Sequence, residues 1–86
     1  MEKVIYRIYT EYQENLIPLV KAHFNNATIY EGIGIYKGIS EKCVIIEIIG
    51  NLETFTFICS LADIIKKEYN QESVLITIQD IKVIYE

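Results

Sequence analysis

The chain has 86 residues, 51% of them hydrophobic and 23% charged, with a formal net charge of −4. One domain over residues 1–86 is all that length holds, and its core is small enough for self-association to help it. Such apolar content with a single Pro excludes a disordered chain. Net negative charge and eight scattered Lys and Arg residues argue against a DNA or RNA polymer as partner. No apolar run approaches the ~20 residues that span a bilayer, so no membrane partner is expected.

Eighteen isoleucines, against five Leu and five Val, favour pleated sheet over helix. Met1-Glu2-Lys3-Val4 leads straight into a strand pattern without an apolar signal-peptide core, so a cytoplasmic location is expected. Cys43 and Cys59 fall on different predicted elements outside any CxxC, which suits reduced thiols. Two Cys and one His are too few for a structural zinc, and no metal or cofactor is expected.

From Lys3 to Thr10 the residues alternate, with Val4, Tyr6 and Ile8 on one side and Ile5, Arg7 and Tyr9 on the other, as in a strand. A helix capped by Asn15 tolerates Pro18 in its first turn. Leu16, Leu19, Val20, His23 and Phe24 then form its apolar stripe, and Asn25-Asn26 ends it. Residues 27–38 alternate as a second strand, Gly38-Ile39-Ser40-Glu41 reads as a hairpin turn, and residues 42–49 form the third strand. The start of a second helix is ambiguous, because Thr54-Phe55-Thr56-Phe57 alternates like a strand. Beyond it, Ile58, Leu61, Ala62, Ile65 and Tyr69 keep a helical stripe that Asn70-Gln71 closes. Val74 to Gln79 is the fourth strand, Asp80 interrupts, and Ile81 to Tyr85 resumes as a short C-terminal strand extension.

The order βαββαβ is that of an α+β ferredoxin-like sandwich: a four-stranded antiparallel sheet, order 4-1-3-2, with both helices on one face. Parity assigns the side chains of the other, open face. Tyr30, Gly32, Gly34 and Tyr36 come from strand two, Glu47 from strand three, Arg7 and Tyr9 from strand one, and Thr77 and Gln79 from strand four. Ile29, Ile33 and Ile35 should meet the helices. With the turn at 38–41, Lys37 faces Lys42, and Tyr36, Gly34, Gly32 and Tyr30 pair with Cys43, Ile45, Glu47 and Ile49. So many apolar and tyrosine side chains on one open face predict a cover, either a second copy of the chain or a ligand.

As a ligand site, the face would stack a planar group on tyrosines, fix its polar edge with Arg7 or Glu47, and admit it closely over Gly32 and Gly34. As a subunit interface, Arg7 and Glu47 would be a plain ion pair. The C-terminal extension could pair with a neighbouring subunit's edge, so a dimer or higher closed oligomer is expected. His23 is expected to pack, partly buried, on its helix. Glu31 breaks the buried side of strand two, either at a bulge or at a rim near a helix end. The glycines of strand two are no phosphate loop, since none opens a helix. Cys43 has no assured basic neighbour and should be inert, whereas Lys37 and Lys42 together are a modest candidate for a ligand phosphate.

The segments TIYEGIGIYKG, EKCVIIEIIG and NQESVLIT resemble small uncharacterised ferredoxin-like proteins of low-GC bacteria and their phages. That resemblance implies a non-catalytic, oligomeric anti-defence sponge holding a nucleotide-derived immune signal. A protein-interaction or inhibitor module, and a small enzyme that uses Glu47 or His23 as acid–base on a nucleotide, are the alternatives.

Overall fold

A computed structural model describes residues 3–86; Met1 and Glu2, on which the expectation of no signal-peptide core partly falls, lie outside the described residues. The elements are β1 (Lys3–Glu11), α1 (Leu16–Lys21), β2 (Thr28–Tyr36), β3 (Ile39–Gly50), α2 (Phe55–Glu68) and β4 (Leu75–Ile81). They form one four-stranded sheet in the order β2-β3-β1-β4, antiparallel at every pairing. This is the expected ferredoxin-like arrangement. The central strands β1 and β3 send Val4, Tyr6, Ile8, Val44, Ile46 and Ile48 to one face, where Leu16 and Val20 of α1 and Ile58, Leu61 and Ile65 of α2 pack on them. Both helices therefore cover one face, and the other is open.

The β2–β3 hairpin departs from the expected register. Its turn is the two-residue pair Lys37-Gly38, both in the left-handed region at φ 51° and 77°, so Tyr36 pairs with Ile39. Such a turn matches strand twist, and glycine takes the second left-handed position at little cost. The strands slide by an even number of positions, so faces are kept while partners change. Tyr30 pairs with Ile45, Gly32 with Cys43 and Gly34 with Glu41, and Lys42 faces Ile33 rather than Lys37.

The longer hairpin outruns its supports. β1 pairs with β3 only from Cys43 onward, so residues 33–36 and 39–42 form a two-stranded ribbon. Ile33 and Ile35, expected against the helices, are 78% and 75% exposed; only Ile29 of that set packs on the core. Alternation sets which side a residue faces, but burial also requires a helix over it, and α1 starts at Leu16, beside Ile29 and Val44, and leads back toward the start of β2, away from the ribbon. His23 is corrected as well. The helix ends at Lys21, and His23 is exposed with Nδ1 2.9 Å from the Leu19 carbonyl.

Asn51 resolves the ambiguous start of α2. Its side chain accepts hydrogen bonds from the backbone N–H of Glu53 (2.9 Å) and Thr54 (3.2 Å), while Thr54 Oγ1 accepts from the Asn51 N–H (3.2 Å). This reciprocal cap turns Thr54 to Phe57 into helix despite their alternation. Gly50 makes room for it, since a Cβ there would lie 2.5 Å from Thr54 Oγ1. At the other end, Asp80 does not interrupt β4. It pairs with Val4, the strand continues to Ile81, and residues 82–86 form no strand, so the expected extension is absent. β4 is an edge strand, where an aspartate can keep its carboxylate in water.

Burial separates the core from the ribbon quantitatively. Ile46→Ala, at a fully buried central position, should cost about 2–5 kcal/mol. Ile35→Ala should stay within about 0.5 kcal/mol of the parent. Urea denaturation of both variants checks this, and equal losses would mean that the ribbon is packed after all.

Candidate ligand-binding site

Register places Arg7 between Glu47 on β3 and Thr77 on β4. The guanidinium donates from Nε to Glu47 Oε2 at 2.9 Å and from Nη1 to Gln79 Oε1 at 2.9 Å. Tyr30 OH donates to the same Glu47 Oε2 at 2.6 Å. One polar chain, Tyr30–Glu47–Arg7–Gln79, thus crosses all four strands on the open face. The Arg7 and Glu47 side chains stay 28% and 22% exposed, within reach of solvent. Among the described residues, Glu47 Oε1 accepts nothing and Arg7 Nη2 donates nothing. An acceptor and a donor therefore remain for a bound molecule.

These contacts set the charge state. The hydrogen bond from Tyr30, followed by that from Arg7, holds the Glu47 carboxyl below the ordinary glutamate range. The bond to Glu47 raises the Tyr30 phenol and, as its largest cause, raises the Arg7 guanidinium. Glu47 is consequently an anion at neutral pH, paired with the Arg7 guanidinium.

The rest of the expected site divides. Tyr9, Gly34 and Tyr36 line a groove of about 610 Å³ beyond the polar chain, at the end of the sheet. It is the notch left where β1 stops at Glu11 while β3 runs on into the ribbon. The opposite wall is the α2–β4 loop, residues 70–73, anchored by Gln71 Nε2 donating to the buried Thr10 Oγ1 at 2.7 Å. Gly32 is not an open floor. Ile45, only 7% exposed, lies across it, with Cδ1 3.2 Å from where a Gly32 Cβ would stand. Gly34 has nothing closer than 3.9 Å to such an atom and faces the groove.

Glu11, Glu41 and Glu72 also line the groove. Carrying the parity of Arg7–Tyr9 and of Glu47–Cys43 to the strand ends finds the first two, whereas Glu72 is a loop residue with no such signal. Lys42 is the one cation of the lining. It pairs with Glu31 at 3.4 Å and sits over the Tyr12 ring at 4.3 Å. Glu31 is thereby explained as a solvated rim residue in regular register, not a bulge. Lys37 lies apart in the turn, 5.4 Å from the Tyr36 ring centroid. Cys43 and Cys59 are free thiols, each half-buried. Among the described residues, no three His, Cys, Asp or Glu side chains are grouped to hold a metal ion. No described helix is long and apolar enough to cross a membrane.

Linkage gives the polar chain a pH signature. Because the folded state lowers the Glu47 pKa, its stabilisation is present above the ordinary glutamate range and is lost as pH falls through the lowered folded value. Glu47→Gln should therefore melt below the parent at neutral pH, with the gap closing in acid. Thermal melts across that range check this, and a pH-independent gap would contradict it.

No protein-family model matches the sequence, and no curated protein matches it. Similar solved structures do exist. A phage S-adenosylmethionine lyase in its apo state superposes with TM-score 0.70 at 23% identity, covering 92% of this chain and 81% of that one. A DUF3240 protein of Shewanella baltica OS155 gives 0.75 at 7% identity, covering 98% and 94%. A nitrogen-regulatory PII-like protein of Thiomonas intermedia K12, bound to ADP, AMP and bicarbonate, gives 0.65 at 16% identity, covering 100% and 97%. At these identities the likeness is one of fold, and the chain has the ferredoxin-like fold that the phage protein and the PII-like protein share with it.

Proposed function

We propose that this chain binds a small adenosine-bearing molecule on its open sheet face, with the adenosine end in the groove beside Tyr9 and Tyr36 and a polar group at Glu47 and Arg7. The observation that carries this reading is the face itself. An ionised carboxylate with an unused oxygen sits at the centre of a sheet surface that no part of the described chain covers, next to a groove of about 610 Å³. That volume lies within the range of small-molecule sites. Two similarly folded proteins support the choice of ligand, one a lyase of S-adenosylmethionine and the other holding ADP and AMP. Fold alone never establishes function, so the site's own chemistry has to bear the weight.

The same reading includes self-association. Ile49, Leu75 and Tyr36 are at least half exposed on this face or its ribbon, and a second copy would cover them. In its non-catalytic form the protein sequesters its ligand, a phage anti-defence sponge in a bacterial cytoplasm. A second reading, a lyase acting on S-adenosylmethionine, is favoured by the phage structure together with Glu47, a carboxylate kept charged on the open face by its contacts with Tyr30 and Arg7.

Incubation with S-adenosylmethionine, ATP and AMP separates these readings, followed by native mass spectrometry and then by denaturation and mass analysis of the released small molecule. Binding with unchanged ligand supports the sponge. A converted ligand supports the lyase, in which case Glu47→Gln should bind and not turn over. No adduct with any of the three would defeat the adenosine reading. Tyr36→Ala should weaken binding by about 1–3 kcal/mol if the base stacks there, and an unchanged affinity would remove Tyr36 from the site.

A further inference from the structure

β2 is an edge of the sheet, and it lacks the features that keep an edge strand from pairing. Its nine residues, Thr28–Tyr36, contain no proline and a single charge, Glu31, and they run in unbroken register with β3, without a bulge. The other edge, β4, is shorter and carries Asp80. The turn fixes which backbone groups β2 presents. A two-residue turn closes on a hydrogen-bonded pair, here Tyr36 with Ile39, and such pairs recur at every second residue. Tyr36, Gly34, Gly32 and Tyr30 therefore direct their N–H and C=O groups to β3. Ile35, Ile33, Glu31 and Ile29 aim theirs at the edge. Among these are the two ribbon isoleucines that no helix covers, Ile33 and Ile35, both largely exposed. Backbone donors, backbone acceptors and unburied apolar side chains thus coincide on one short strand.

The strand is also complementary to itself. A two-fold axis through Gly34, perpendicular to the sheet, lays β2 antiparallel to the same strand of a second copy, and residues opposite each other then share a face. On the helix side, Ile33 meets the partner's Ile35, Ile35 meets the partner's Ile33, and Glu31 meets the partner's Lys37. On the open side, Gly32 receives the partner's Tyr36, an aromatic ring over a glycine. An axis at Ile33 sets Glu31 against the partner's Ile35, one at Gly32 sets it against the partner's Ile33, and one at Ile35 sets Ile33 against the partner's Lys37. Of these, the Gly34 axis alone matches apolar with apolar and acid with base.

We infer that the free edge of β2 is a self-pairing surface: two copies of this chain join β2 to β2, antiparallel about Gly34, into one continuous sheet. This rests on the self-association of the reading above, to which it gives a surface, and it does not depend on the ligand. A ladder of a few residues falls at the small end of specific interfaces, so the dimer forms in a concentration-dependent way.

The test is sedimentation equilibrium over a concentration series, from micromolar to millimolar, on the parent chain and its edge variants. The parent should pass from monomer to dimer and stop there, because a two-fold contact leaves no second edge of the same kind. Ile35→Lys, at an exposed position, should lower the association constant about tenfold or more and keep the parent's circular dichroism. Glu31→Lys and Lys37→Glu should each lower it several-fold, and the double variant, with the charges exchanged, should regain most of that loss. The recovery reads the register, since a merely local role for either residue would not produce it. A parent that stays monomeric throughout overturns both the edge pairing and the self-association of the reading above. A dimer that Ile35→Lys leaves unchanged, or a double variant no tighter than the single ones, overturns the β2 pairing alone. Assembly that continues beyond the dimer overturns the two-fold arrangement.

Discussion

β1 has a strand hydrogen-bonded along each edge and helices across one face, so its alternation must serve two surfaces at once. Val4, Tyr6 and Ile8 fill the core, and Tyr6 also reaches past it to donate its hydroxyl to the Asn51 carbonyl at 2.7 Å. Every residue between them is thereby committed to the open face, whatever its chemistry. Arg7 is the consequence. A guanidinium at the middle of a central strand needs acceptors, and it finds them across both edges, on β3 and on β4. The polar chain over the open face is thus the counterpart of the apolar core beneath it, held in place by the same pairing.

The groove has a different origin, in mismatched strand lengths. β1 stops while β2 and β3 continue, so the sheet narrows from four strands to a ribbon. The α2–β4 loop, pinned by Gln71 on Thr10, closes the far side of the notch. Two features then lie side by side. The polar chain has one fixed charge pair with an unused donor and acceptor, and the groove has volume, with Tyr9, Tyr36 and three glutamates on its lining. The same fold carries unrelated chemistries elsewhere.

Strand identity, face parity and the core stripe of α2 were legible in the sequence because they are local. A period of two or of 3.6 residues is a property of the chain itself, and it correctly put Arg7, Glu47, Tyr30 and Gln79 on one surface. Since the actual hairpin register differs from the expected one by an even number of positions, those faces survived the wrong turn. The start of the first helix after Asn15 and the helical stripe from Ile58 to Ile65 were equally local matters, whereas the end of that first helix at Lys21 was not.

Tertiary structure alone decided reach and partnership. Whether Ile33 and Ile35 are buried depends on how far the β2–β3 hairpin runs past the end of β1, a comparison between elements that no window of residues contains. The two-residue turn at Lys37-Gly38 set which side chains meet, giving Gly32 the covering side chain of Ile45 and leaving Gly34 open. Glu72 joins Glu11 and Glu41 only because a loop far along the chain folds back onto the end of β1. Periodicity determines which way a side chain faces; the lengths and ends of packed elements determine what it finds there.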